Sequence, residues 1–230
     1  MSVTTVSTPT CTHERHNGSP LAAVEKRVLV WIARRLPPAI GSDHLTLLGL
    51  ASMLGVGLAF AASSRDPRVL YLVPILLALN WFGDSLDGTV ARVRNRQRPR
   101  YGYYVDHIVD IVGALALFGG LAMSGSMHPL LAMALLVAYV AAMAEVFLAT
   151  HVTRVFRLAS FGFGPTELRI VLAIGALALV GRPTVHVPGI GAVALFDVGG
   201  VIATVGIGCA FVASAVRTAI ALAREERIAP

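Results

Sequence analysis

Residues 84–110 read D-S-L-D-G-T-V-A-R-V-R-N-R-Q-R-P-R-Y-G-Y-Y-V-D-H-I-V-D, and this stretch decides the fold. It lies between two strongly apolar segments, which predicts two membrane-spanning helices joined by a short basic loop. Four carboxylates are predicted near the helix ends that this loop joins, namely those of Asp84, Asp87, Asp106 and Asp110. A charged group in or near a bilayer is costly, so acids in these positions indicate a functional site.

The spacing of these four residues, the aspartate cluster, predicts one shared site. Asp84 and Asp87 are three residues apart, and Asp106 and Asp110 are four apart, so each pair lies on one face of a helix. Two such faces turned together would form a box of four carboxylates, whose repulsion is relieved by protonation or by bound cations. Oxygen ligands without clustered cysteine or histidine favour a hard ion such as Mg²⁺ or Mn²⁺ over zinc.

The composition is typical of a helical membrane protein. The chain of 230 residues is 56% hydrophobic and 14% charged, and its mean hydropathy is +0.72. These values exclude an ordinary water-soluble domain. The net charge of +6 does not indicate nucleic acid, because the basic residues lie between apolar runs, where they contact anionic lipid and set orientation. We therefore expect membrane lipids as partners and no nucleic acid.

Hydrophobic runs predict an all-α polytopic membrane protein of six transmembrane helices preceded by an N-terminal amphipathic interfacial helix. The predicted spans are 45–63, 69–83, 103–123, 129–150, 166–180 and 196–216, of which the fifth is short. Gly49, Gly55 and Gly57 in the first span indicate close helix contact. Ser42 or Asp43 is expected to cap that helix.

The N-terminal region divides into two segments before the membrane domain of residues 39–230. Residues 1–20 are small and polar, which predicts a disordered tail. Residues 21–38 carry apolar side chains at helical spacing between basic ones, which predicts a helix lying on an anionic membrane surface. A helix packed against the protein's own membrane domain explains the same pattern, and the sequence leaves both interpretations open.

Lysine and arginine are distributed unequally between the two sides that six spans define. Sixteen of the 19 fall on the side of the termini and the aspartate cluster, and only Arg65, Arg68 and Arg182 fall on the other. Because cytoplasmic loops carry the excess of basic residues, this predicts termini and acids on the cytoplasmic face of a bacterial plasma membrane.

The aspartate cluster also fits a known pattern. D-x-x-D-G-x-x-A-R, followed after eight or nine residues by G-x-x-x-D-x-x-x-D, resembles the signature of the CDP-alcohol phosphatidyltransferase family. Every fixed position is filled, by Asp84, Asp87, Gly88, Ala91, Arg92, Gly102, Asp106 and Asp110. The resemblance covers roughly residues 45–224 and agrees with the membrane context.

The resemblance implies a metal-dependent reaction of phospholipid biosynthesis. A phosphatidyl or other phospho-alcohol group would pass from a CDP-alcohol, most often CDP-diacylglycerol, to the hydroxyl of a small alcohol, with release of CMP. Asp84, Asp87 and Asp106 would hold two Mg²⁺ or Mn²⁺ ions, and Asp110 would be the general base.

The resemblance also implies the donor's position and an oligomeric state. Gly88 and Ala91 would leave room for the cytidine nucleotide, and Arg92 would lie near its phosphates. Relatives are commonly homodimers, so a homodimer is expected. The motif leaves the acceptor alcohol open, and basic residues after the fourth span favour a phosphorylated one.

Two questions stay open from sequence. An ion-coupled membrane transporter could use the same acids as a cation site, although its acids should lie nearer the bilayer midplane. Several polar residues on the same side form either an acceptor pocket or ordinary helix-end contacts. These residues are Glu145, His151, Arg154, Arg157, Glu167 and Arg169.

Overall fold

The computed structural model describes residues 20–153, 165–189 and 191–226. Within these ranges the chain forms seven α-helices, one short 3-10 helix and a β-hairpin. The elements are α1 (Pro20–Arg35), α2 (Ser42–Ser63), the 3-10 helix (Pro67–Tyr71), α3 (Leu72–Val93), α4 (Pro99–Met123), α5 (Pro129–Thr153), α6 (Pro165–Gly181), β1 (Thr184–Val187), β2 (Gly191–Ala194) and α7 (Leu195–Glu225). The expected disordered tail comprised residues 1–20. Residues 1–19 lie outside the described residues, and Pro20 is the first residue of α1.

Five helices of the described residues are long and apolar enough to cross a membrane. They are α2, α3 with the 3-10 helix before it, α4, α5 and α7. These helices confirm the all-α polytopic membrane fold. The predicted fifth span corresponds to α6, which has 17 residues, so the six-span arrangement stays a prediction.

Helix α2 lies at the centre of the bundle and packs against both α3 and α4. Glycines permit the close approach that the sequence predicted, since a Cβ at Gly57 would lie 2.2 Å from the Ala116 carbonyl oxygen. A Cβ at Gly83 of α3 would lie 2.5 Å from the carbonyl oxygen of Leu45 and 2.8 Å from the Gly49 nitrogen. Backbone contact therefore fixes the positions of α3 and α4 through α2.

Helix α1 packs against α3 near the aspartate cluster. Leu29 and Ala33 are buried in an apolar cluster with Leu45, Leu86 and Val90. This contact agrees with the interpretation of α1 as a helix packed on the membrane domain. Its outer face remains available to a membrane surface, so the interfacial position stays a prediction.

A β-hairpin between α6 and α7 was not predicted. Strands β1 and β2 pair antiparallel, with Thr184 opposite Ala194 and Val187 opposite Gly191. Gly189 and Gly191 have φ values of +83° and +99°, which glycine adopts without a Cβ penalty. Each strand has only four residues, much shorter than the hydrophobic runs from which the spans were predicted. The hydrophobicity pattern therefore did not indicate the strands.

Candidate functional site

The aspartate cluster lies on the two helices that flank α2. Asp84 and Asp87 are on α3, and Asp106 and Asp110 are on α4. Asp110 interacts electrostatically with each of the other three carboxylates, and Asp87 interacts with Asp84 and Asp106. The four acids therefore share one region of the bundle. Because α3 continues to Val93 and α4 begins at Pro99, the acids lie within these helices. The expected position at a helix end is wrong for Asp110, which lies near the middle of α4.

Two residues at the start of α2 hold Asp87. The Thr46 hydroxyl donates a hydrogen bond to Asp87 Oδ2 at 2.7 Å, and the Ser42 hydroxyl donates to the Asp87 carbonyl oxygen at 3.0 Å. The backbone N–H of Gly88 donates to Asp87 Oδ1. Ser42 and Asp43 do not cap α2 as predicted, because the N-cap is Gly41. Asp87 is instead tied to the neighbouring helix.

Asp84 is paired with a residue from the far part of the chain. Arg169 of α6 donates from Nη2 to Asp84 Oδ2 at 2.7 Å and from Nε to Asn80 Oδ1 at 2.8 Å. The buried Asn80 side chain donates in turn to the Gly49 carbonyl oxygen at 2.9 Å. Sequence reasoning missed Asn80, although a polar residue inside an apolar run and one turn before Asp84 is the signal that could have found it.

Asp106 and Asp110 lie on the more open side of the cluster. The Asp106 side chain is 50% exposed, with Oδ2 4.0 Å from Nδ1 of His107. His107 Nδ1 lies 2.6 Å from the Tyr103 carbonyl oxygen, and its ring packs edge-on against Phe147. Asp110 is exposed as a residue and lies within electrostatic reach of Asp84, Asp87 and Asp106.

The cluster has the ligand chemistry for a hard divalent ion but not a closed ligand set. Among the described side chains, no three acids, histidines or cysteines converge to hold one ion. Asp84 bonds to Arg169 and Asp87 bonds to Thr46, so the box of four carboxylates that share bound ions stays a prediction. Four carboxylates within electrostatic reach of one another nevertheless fit Mg²⁺ or Mn²⁺, which prefer oxygen ligands.

The predicted nucleotide residues follow Asp87 along α3. The Arg92 guanidinium is what a Cβ at Gly88 would meet first, with Nη1 at 3.3 Å. Arg92 Nη2 donates a hydrogen bond to the Thr89 hydroxyl at 3.1 Å. Ala91 lines a cleft of about 430 Å³ between the start of α2 and the loop that joins α3 to α4. We call it the α2–α3 cleft.

An ion pair lies at the rim of the α2–α3 cleft. Arg98 donates a hydrogen bond to Asp43, and this bond raises the pKa of the Arg98 guanidinium. The pair joins the loop before α4 to the first turn of α2. Both side chains are exposed, so the pair contributes little to stability.

The residues proposed for an acceptor pocket have separate environments. Arg169 reaches the aspartate cluster. Glu145 instead accepts hydrogen bonds from Ser214 at 3.0 Å and Thr218 at 3.4 Å, which joins α5 to α7. His151 and Glu167 are exposed. Arg154 and Arg157 lie outside the described residues.

Gly102, a fixed position of the family signature, lies in the first turn of α4. A Cβ there would meet no atom of the described residues within 4 Å.

Comparison with known proteins gives one match that covers most of the chain. Residues 42–222 match the family model described as CDP-alcohol phosphatidyltransferase. No curated protein matches the chain. The matched region begins with α2 and includes every residue of the aspartate cluster.

Proposed function

Because the chain belongs to the CDP-alcohol phosphatidyltransferase family, it is an enzyme, and we propose that it transfers a phosphatidyl group from CDP-diacylglycerol to a small alcohol. The products would be CMP and a phospholipid that remains in the membrane. The observation that supports this proposal best is the aspartate cluster, in which four carboxylates of two membrane helices interact electrostatically. The family consists of transferases, which favours the enzyme over the transporter alternative.

Asp84, Asp87 and Asp106 are the proposed ligands of two divalent ions. When bound, such ions neutralise the negative charge of the diphosphate and polarise its phosphorus–oxygen bonds. Thr46 orients the Asp87 carboxylate, and partners of this kind fix the ligand geometry of metal sites. Arg169 would have to share Asp84 with an ion, because its guanidinium occupies one carboxylate oxygen.

Asp110 is the proposed general base. Its carboxylate lies one turn beyond Asp106 on the same face of α4, where it can take the proton of an acceptor hydroxyl. The acceptor oxygen then forms a bond to the phosphorus that carries the diacylglycerol group. The bond from that phosphorus to the bridging oxygen breaks, and CMP leaves with that oxygen.

Gly88, Ala91 and Arg92 are proposed to face the nucleotide. Small side chains at the first two positions let a ligand approach α3 closely, and Ala91 borders the α2–α3 cleft. Arg92 supplies a guanidinium for phosphate oxygens. Arg169 places a second guanidinium beside the cluster, which supports a phosphorylated acceptor.

We also propose six spans, with the cluster on the cytoplasmic face of a bacterial plasma membrane. The first part of α6 reaches Asp84 and Asn80, and α6 also contacts the 3-10 helix at the opposite end of α3. A helix of 17 residues is about 25 Å long, which suffices for most of the hydrocarbon core. The proposed homodimer rests on the family resemblance alone.

The test is release of CMP by purified protein reconstituted in lipid with Mg²⁺ or Mn²⁺. We expect release from CDP-diacylglycerol only when a suitable alcohol is present, and a panel of free and phosphorylated alcohols would identify the acceptor. Asp110→Asn should abolish release without changing thermal stability.

The matched control is Asp66→Asn, which alters an exposed aspartate at the other end of the bundle. Asp66 accepts a hydrogen bond from the Arg68 backbone, and asparagine caps a helix equally well. This variant should keep full activity. Wild-type activity in Asp110→Asn would contradict the proposed base, and activity that survives strong chelation would contradict the metal.

A further inference from the structure

A second cleft, separate from the aspartate cluster, lies between α1 and the end of α3. It measures about 420 Å³ and is lined by Ala33, Arg34, Leu36, Pro38, Val93, Arg94 and Arg96. We call it the arginine cleft. None of the four aspartates lines it, and neither does Gly88, Ala91 or Arg92. Arg94 and Arg96 also line the α2–α3 cleft, so the two clefts share a wall, but no residue to which the reaction proposed above gives a role lines the arginine cleft.

The arginine cleft combines positive charge with an apolar floor. Arg34, Arg94 and Arg96 contribute three guanidinium groups, and within the described part of the chain no carboxylate lines the cleft. Its other walls are aliphatic, from Ala33, Leu36 and Val93 among others. Guanidinium groups bind phosphate through paired hydrogen bonds, and an aliphatic floor suits a ligand that carries hydrocarbon beside its phosphate.

Arg94 holds the cleft in shape. Its Nη2 donates to the carbonyl oxygens of Leu36 at 2.9 Å and Pro37 at 3.1 Å, and its Nη1 donates to Ile40 at 2.6 Å. These bonds satisfy the carbonyl groups of Leu36 and Ile40, which follow the end of α1, and add a second donor to the Pro37 carbonyl, which also accepts from the Ile40 N–H. Because Arg94 is committed to the backbone, Arg34 and Arg96 are the side chains available to a ligand.

The outer face of α1 indicates where the ligand comes from. Trp31 and Val28 are 56% and 47% exposed, and the Arg35 guanidinium lies 3.9 Å from the centre of the Trp31 ring. Tryptophan with arginine on an exposed helix face is typical of contact with a membrane surface. Arg34 belongs to the same helix, so a lipid beside α1 can place its phosphate in the cleft.

We propose that the arginine cleft binds the phosphate group of an anionic phospholipid, which holds α1 and the end of α3 together at the membrane surface. This lipid is neither donor nor product in the reaction proposed above. The site is a fixed lipid site of the fold, and its existence does not depend on the proposed chemistry.

The test is retention of lipid by the full-length protein in neutral detergent, measured by native mass spectrometry. The probe is phosphatidylglycerol, with phosphatidylcholine as the zwitterionic comparison. We expect wild-type protein to retain phosphatidylglycerol preferentially. The double variant Arg34→Gln with Arg96→Gln should bind it at least tenfold more weakly, since each basic residue near an anionic surface contributes a factor of about five.

The matched control is the double variant Arg65→Gln with Arg68→Gln, which removes the same charge at the other end of the bundle and should retain the lipid normally. Each single cleft variant should lose about fivefold, so the test survives if the double variant fails to fold. Unchanged retention in the cleft variants would overturn the proposal. Displacement of the lipid by millimolar inorganic phosphate would also overturn it, because the site would then select a free anion.

Discussion

At the scale of single residues, the acids of the aspartate cluster differ in their surroundings. Asp87 is oriented by a hydroxyl of α2, Asp84 is neutralised by a guanidinium of α6, and Asp110 is left exposed. Environment of this kind, more than residue type, assigns different roles to identical side chains.

Replacing Thr46 should test the orientation of Asp87. Thr46→Val removes the donor 2.7 Å from Asp87 Oδ2 at nearly constant volume, so we expect metal affinity and CMP release to fall by about 10- to 100-fold. Thr46→Ser keeps the hydroxyl and should retain activity.

Thr204→Val is the control, because its hydroxyl bonds only within α7, to the Gly200 carbonyl oxygen. Titration of activity against Mn²⁺ shows whether Thr46→Val needs more metal than Thr46→Ser and Thr204→Val. Equal metal dependence in Thr46→Val and the wild-type protein would show that Thr46 does not position Asp87.

Replacing Arg169 should change metal binding in the opposite direction. Arg169→Gln removes a positive charge 2.7 Å from Asp84, so Mn²⁺ should bind more tightly in the absence of substrates. We expect an effect of roughly fivefold, since the Asp84 side chain is 37% exposed and solvent screens the pair. Mn²⁺ titration by electron paramagnetic resonance measures it.

Arg98→Gln provides the matched loss of charge, because Arg98 pairs with Asp43 outside the aspartate cluster. It should leave Mn²⁺ binding unchanged. Weaker binding in Arg169→Gln would mean that the guanidinium orders the ligands more than it competes with the ion.

At the scale of helices, contact through glycine brings the acids together. Helix α2 separates α3 from α4, and its glycines allow backbone contact with α3 at one level and with α4 at another. Small residues serve this purpose in membranes, where lipid is as apolar as a leucine side chain and packing must supply the attraction.

Two adjacent glycines of α4 make a matched test of this packing. A Cβ at Gly120 would lie 2.1 Å from the Gly57 carbonyl oxygen, whereas one at Gly119 would meet no atom of the described residues within 4 Å. Gly120→Ala should therefore destabilise the protein by about 1–3 kcal/mol. Gly119→Ala should be neutral or stabilising by up to about 1 kcal/mol, because alanine favours the helix. Thermal unfolding in one detergent compares them, and equal shifts would contradict the contact.

At the scale of the whole molecule, charge and hydrophobic length set the orientation in the bilayer. The basic loop between α3 and α4 lies at the same end as the aspartate cluster, and the loop after α2 lies at the other. The excess of basic residues at the first end predicts that it is cytoplasmic.

Cysteine labelling tests this orientation in a background in which Cys11 and Cys209 are replaced by serine. Gln97→Cys and Ser64→Cys place exposed thiols at opposite ends of the bundle. An impermeant thiol reagent should label the second in intact cells and the first only in inverted vesicles. The reverse pattern would place the aspartate cluster outside the cytoplasm.

The sequence by itself determined the membrane class, the helical content, the glycine contacts of α2 and the placement of the four aspartates as two pairs on two consecutive helices. These features follow from the length of apolar runs and from a period of 3.6 residues, which are local properties of the chain. Only the tertiary structure decided that Asp84 pairs with Arg169, 85 residues away, and that Asp87 bonds to Thr46, 41 residues away. Such pairs depend on how helices rotate and cross in the bundle, and the periodicity of a single helix does not specify the rotation of its neighbours.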